Sequence, residues 1–127
     1  MQLRKGGLMF AEILQTIVEE TRGGAGAVLM GYDGIAIEQF FLPIDGLDLQ
    51  LVAVEYANIL KEIKRTAEIL DSGFMEEVTI RTERFLVLVR VLTDDYFVAL
   101  TLRRDGNFGK GRYLLMREAP NLRAALA

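Results

Sequence analysis

The chain contains neither cysteine nor histidine. Without cysteine there are no disulfides and no thiolate metal sites. Without histidine, the commonest general base, the commonest transition-metal ligand and the usual switch near neutral pH are missing. No uncharged stretch approaches the roughly 20 residues that a bilayer crossing requires. The opening "MQLRKGGLMFAEIL" sets a basic segment before an apolar one, but Glu12 interrupts the apolar run and no small-residue cleavage site follows. A cytoplasmic protein with no membrane insertion is expected. The net charge of −3 lacks the concentration of Lys and Arg that phosphate neutralisation demands, so a general nucleic-acid binder is excluded.

What is present is an ordinary globular mix. The 127 residues are 51% apolar and 26% charged, enough for one domain with a large core. A single domain over 1–127 is expected, with residues 1–8 as a loose N-terminal arm. Phe10, Ile13, Leu14, Ile17 and Val18 recur at three- and four-residue spacing, which predicts an amphipathic helix from Leu8 to about Arg22. Gly23 and Gly24 stop it. "AGAVLMGY" is apolar on both faces, as in a strand covered above and below. Asp33-Gly34 reads as a two-residue hairpin turn. "IAIEQF" returns as its partner, with Glu38 suited to a sheet edge.

Asp48 is a helix N-cap, and a long helix runs from it to near Leu70. Leu49, Val52, Tyr56, Ile59, Leu60, Ile63, Ala67 and Leu70 form its predicted inner stripe. Three strands follow. "EEVTIRTE" alternates, with Val78 and Ile80 on one side and Thr79 and Arg81 on the other. "RFLVLVRVL" and "YFVALTLR" are nearly continuous apolar runs, and the short "TDD" between them requires antiparallel pairing. A last helix starts near Phe108, with a kink or interruption expected near Ala119 because of Pro120. The predicted order is α-β-β-α-β-β-β-α, an α+β fold in which a five-stranded, mainly antiparallel sheet carries helices on both faces.

Two glycine stretches invite a phosphate-binding reading, and both fail it. In "RGGAGAVLMGYDG", Gly24 and Gly26 have the first spacing of a dinucleotide fingerprint. Position 29, however, is Leu, and the glycines follow a helix and open a strand, which inverts the required context. "NFGKGR" lacks the glycine before Gly109 and the Ser or Thr after Lys110 that a P-loop needs. Lys110 and Arg112 nonetheless sit at a helix start, where the dipole disfavours cations. Either they are solvated or paired with acids, or that corner meets an anionic or protein partner. The adjacent carboxylates Glu19–Glu20, Glu76–Glu77 and Asp94–Asp95 lie at element ends, not across a cleft as acid–base catalysis requires. No catalytic, metal-binding or cofactor-binding residues are predicted.

The middle helix offers the better case for binding. Leu51, Val54 and Ile69 project away from the predicted inner stripe, among Asn58, Lys61, Glu62 and Arg65. Leu51 and Val54, three apart, are expected to seed a contact patch. The strand bearing Val78 and Ile80, at a sheet edge, is a second route to self-association.

Taken together, the first hairpin "GAGAVLMGYDGIAI", the meander "EEVTIRTERFLVLVRVLTDDYFVALTL" and the final "NFGKGRYLLMREAPNLRAAL" resemble the Roadblock / dynein light chain superfamily, from about Met9 to Leu126. Glu83 and Arg84 match the tight turn between its third and fourth strands, and Gly109, Lys110 and Arg112 match the opening of its last helix. Profilin-like and longin domains share a related architecture. The resemblance implies a homodimer in which middle helices pack together and sheets join through the third strand. It implies regulation of a Ras-like small GTPase, with no active site of the chain's own. The similar bacterial mutual-gliding type B proteins activate their GTPase by reshaping its switch region and donate no arginine finger. Those activators carry a tail beyond the last helix, and this sequence stops at Ala127. A scaffold in a signalling or motility complex, without effect on GTP hydrolysis, therefore stands beside the regulator as a second reading. An enzyme acting on a small molecule, which requires a closed polar pocket, is the third.

Overall fold

The computed structural model describes residues 2–43 and 48–127, the side chains of 2–8, 49 and 50 excepted. Eight elements follow in the predicted order: α1 (Gln2–Glu20), β1 (Gly24–Gly31), β2 (Ala36–Phe41), α2 (Leu49–Ile69), β3 (Glu77–Arg81), β4 (Phe85–Val91), β5 (Tyr96–Arg103) and α3 (Phe108–Leu126). The backbone of α1 begins at Gln2, ahead of the expected Leu8. The expected arm over 1–8 otherwise lies outside the described side chains. All strand pairs are antiparallel, in the order β2-β1-β5-β4-β3. The two apolar runs β4 and β5 and the apolar β1 are therefore interior, while the polar-flecked β2 and β3 form the edges.

The sheet divides two cores. On one side α1 and α3 close over Leu29, Leu88, Leu100 and Leu102, with Leu14, Ile17, Leu114 and Leu122 supplied by the helices. On the other, α2 lays Ala53, Ala57 and Leu60 against Met30, Val87, Val89 and Phe97. Each fully buried Leu or Phe contributes about 1.5–3 kcal/mol relative to exposure.

Glycine settles how α1 meets β1. Gly23 has φ +84°, and a Cβ there would lie 2.5 Å from the Gly106 Cα, so two backbones touch where a side chain has no room. Arg103 N–H donates to Gly23 O at 2.8 Å, and Asn107 N–H donates to Arg22 O at 2.8 Å. Gly24 already belongs to the strand. The glycine-rich stretch is a helix stop and a close crossing.

Three local expectations are corrected. Gly31 N–H donates to Ile35 O, which leaves a three-residue loop, Tyr32 to Gly34. It is a tight turn plus a left-handed Gly34 (φ +86°), not the expected two-residue turn. Asp33 braces it by accepting from Ile35 N–H at 3.0 Å. Second, α3 continues through Pro120. Ala119 and Leu122, buried on either side of the proline, hold both halves of the helix on the core. Third, the inner face of α2 is rotated from the expected stripe, as described next.

Candidate functional site: the open flank of the second helix

Asp48 caps α2, its side chain accepting from Leu51 N–H at 3.0 Å. The helix then presents Ala53, Ala57 and Leu60 to the sheet, with Tyr56 and Ala67 half-buried beside them. Small residues here let the helix axis approach a sheet surface already filled by Phe97 and Met30. The expected inner stripe is only partly inside. At 100° per residue, Ile63, Val52, Leu70 and Ile59 lie roughly 60–100° to one side of Leu60. Ile59 is 49% exposed, Ile63 37% and Leu70 69%, while Val52 is half-buried. The apolar arc of α2 spans roughly 160°, more than a helix needs to seat on a sheet. The surplus is a row of aliphatic side chains at seven- and four-residue spacing, the pattern that helices use to pack on other helices. Leu49 belongs to the expected stripe, but its side chain lies outside the described residues.

The expected patch of Leu51 and Val54 is not formed as a pair. Leu51 is exposed as expected. Val54 is half-buried and packs on the second core, and its Cγ1 would lie 3.8 Å from a Cβ placed on Gly34 in the β1–β2 turn. The longer hairpin loop reaches under this side of the helix and covers it. Ile69 is exposed like Leu51, but eighteen residues of helix, roughly 27 Å, separate the two. Asn58, Lys61, Glu62 and Arg65 are exposed on the outer face. Arg65 and Glu62 form an ion pair at 3.5 Å that is worth little in solvent.

At the sheet edge, β3 has β4 on one side and, among the described residues, no strand on the other. Val78 and Ile80 are half-buried on the α2 face and pack on the second core. On the opposite face Glu77 binds Arg112 of α3. Arg112 Nη2 donates to Glu77 Oε1 at 2.6 Å, and its Nε donates at 2.9 Å, with Arg90 Nη1 also 3.8 Å away. The hydrogen bonds from Arg112 hold the Glu77 carboxyl below its ordinary value, against a smaller opposing effect of burial. Arg112 is thus neutralised within the fold. Lys110 is exposed, and its backbone N–H is the donor that Asn107 caps at 3.0 Å.

Sequence reasoning missed Ile59, Ile63 and Leu70 as surface residues. The signal was present: Ala53 and Ala57, one turn apart and in line with Leu60, marked the seat of the helix. Among the described residues no helix is long and apolar enough to cross a membrane, and no cluster of three acidic residues is placed to hold a metal ion.

The architecture is an edge-open antiparallel sheet with one helix on one face and two on the other, and comparison with known proteins places it. A family model for the Roadblock/LC7 domain matches residues 10–101. The chain belongs to the Roadblock/LC7 domain family. It is similar to MglC from Myxococcus xanthus, at 38% identity over 98% of both chains, with a TM-score of 0.65. The gliding protein mglB from Thermus thermophilus shares the fold, with a TM-score of 0.80 at 18% identity, over 95% of this chain and 88% of that one. So does a Roadblock/LC7 domain from Streptomyces avermitilis, with a TM-score of 0.78 at 16% identity, over 91% and 95%. No curated protein matches the chain.

Proposed function

We propose that this chain is a non-catalytic, self-associating regulatory module that binds a Ras-like small GTPase in the cytoplasm. The observation that carries the reading is the aliphatic flank of α2, exposed in the single chain at Ile59, Ile63 and Leu70. An exposed row of this kind marks a protein interface. In a twofold pair each flank covers the other, and the free edge of β3 is available to continue one sheet into the next. Leu51, Asn58, Lys61, Glu62 and Arg65, on the outer face of the same helix, then remain for a second partner or for the margin of the pair. Membership of the Roadblock/LC7 family supports regulation over catalysis.

A scaffold without effect on GTP hydrolysis is the second reading. Identity is 38% to MglC but 18% to the Thermus mglB, so the chain's sequence sits nearer to the former. One experiment separates the two. The purified chain is mixed with each Ras-like GTPase of its own genome, and binding and GTP hydrolysis are measured together. A regulator binds and changes the hydrolysis rate, whereas a scaffold binds without changing it. Absence of both with every candidate ends the GTPase reading.

A further inference from the structure

The two ends of the sheet carry different surfaces. At one, a cleft of about 610 Å³ lined by Tyr32, Lys64 and Leu92 runs on to Met75, Glu76 and Val91 at the β3 edge. That cleft belongs to the surface already given to self-association. At the other, the start of β4, the close of β5 and the α1–β1 crossing meet. Arg84, Phe85, Arg103, Arg104 and Asp105 line an open recess of about 400 Å³ there.

Four exposed arginines converge on this end: Arg22, Arg84, Arg103 and Arg104. Phe85 and Arg103 are register partners across β4 and β5. Arg104 N–H donates to Arg84 O at 3.2 Å, and Arg103 N–H donates to Gly23 O at 2.8 Å, beside Arg22. Three of the four side chains are held by contacts that leave their charge intact. Arg22 Nη1 donates to Asp105 O at 2.6 Å, and Arg104 Nη1 donates to Thr82 O at 2.6 Å. The Arg84 guanidinium lies 5.6 Å from the centre of the Phe85 ring.

Elsewhere on the chain, cations are met by acids. Lys64, Arg65, Arg90, Arg112 and Arg117 each lie 2.6–3.8 Å from a carboxylate oxygen. Among the described residues, none of the four arginines at this end has such a partner. Glu83 and Asp105 are exposed here, so four positive charges stand against two, in a chain whose net charge is −3. The nearby Glu19 accepts from Gln15, and Glu20 acts on Arg117. Arginine's planar fork matches a carboxylate through two parallel hydrogen bonds. Basic recognition of a lipid surface is built on amphipathic or juxtamembrane helices, whereas these arginines sit on strand ends and turns. A nucleic acid needs a longer basic track than four side chains at one sheet end. We propose that this end docks an acidic segment of a partner protein, whose carboxylates pair with Arg84, Arg103 and Arg104 across the recess. The proposal stands apart from the GTPase reading, which rests on α2 and the β3 edge.

The test uses the full chain, labelled for NMR and titrated with a capped Glu-Glu-Leu-Glu-Glu peptide and its glutamine counterpart. The acidic peptide shifts the amide signals of Arg84, Phe85, Arg103 and Arg104, and the glutamine peptide does not. The shifts shrink as salt is raised. Arg84→Gln combined with Arg103→Gln, both at exposed positions, binds the acidic peptide about five- to thirty-fold more weakly at an unchanged melting temperature. Arg117→Gln removes a charge of α3 that Glu118 already pairs, and it binds as the parent does. No shift at millimolar acidic peptide, an equal loss in Arg117→Gln, or tighter binding of a single-stranded RNA or of phosphatidylserine vesicles overturns the proposal. So does a sedimentation mass that falls in the double variant without any peptide, since this end would then serve the pair.

Discussion

The two faces of the sheet are built to different specifications. Under α1 and α3 the core is sealed by two helices. Gly111 of α3 comes so near the sheet that a Cβ there would lie 2.9 Å from Leu100 Cδ2 and 3.3 Å from Leu88 Cδ1. Under α2 one helix covers the same five strands alone, seated on alanines, with an aliphatic flank to one side and a cleft at its end. A single helix, about 10 Å wide, cannot roof a sheet whose strands stand roughly 4.8 Å apart. The first face is a core that makes the domain stable. The second face is left incomplete, with an aliphatic row and a cleft uncovered.

If this contrast holds, substitutions on the two faces differ in kind. Leu114→Ala, on the sealed face and fully buried, should cost about 2–5 kcal/mol in denaturant unfolding, because the close-packed side cannot collapse into the cavity. Gly23→Ala forces a left-handed backbone onto a residue with a Cβ and pushes that carbon into Gly106. A loss of about 1–3 kcal/mol is expected in the same measurement. Equal tolerance of these changes and of α2-face changes would erase the distinction.

Glu77→Gln probes the tie between the edge strand and the sealed face. The carboxylate is held below its ordinary value of 4.5 when folded, so its pairing stabilises fully above that value and fades as pH falls through the folded one. The variant should lose about 0.2–1 kcal/mol at neutral pH. It should converge on the parent in acid, as read from melting curves at several pH values. The smallest effect on the single fold, within about 0.5 kcal/mol, is expected for Ile59→Glu combined with Ile63→Glu. The same double change should convert the assembly seen by sedimentation to single chains. An unchanged mass would place the contact elsewhere, and Leu51→Glu in parallel tests the outer face of the same helix.

Much of this was legible from pattern alone. Continuous apolar runs at Phe85–Val91 and Tyr96–Arg103 marked interior strands, alternation marked the edge strand at Val78 and Ile80, and Asp48 marked a helix start. Helix–sheet register was not legible. A broad apolar stripe on α2 fits two seats roughly 60° apart on the helical wheel, and only contact with Phe97 and Met30 selects the one centred on Ala53, Ala57 and Leu60. The hairpin loop length depends on one backbone hydrogen bond, from Gly31 to Ile35, which Asp33-Gly34 alone does not specify. The cleft was invisible because Tyr32, Lys64 and Leu92 are far apart in sequence.

The sequence by itself determined the order of elements, the class of fold and the exclusion of histidine- or cysteine-based chemistry, since each follows from local periodicity or composition. Tertiary structure alone decided which side of α2 faces solvent and that Arg112 is neutralised by Glu77. Those outcomes depend on how far apart two elements sit and at what angle, and such distances come from packing the whole chain at once.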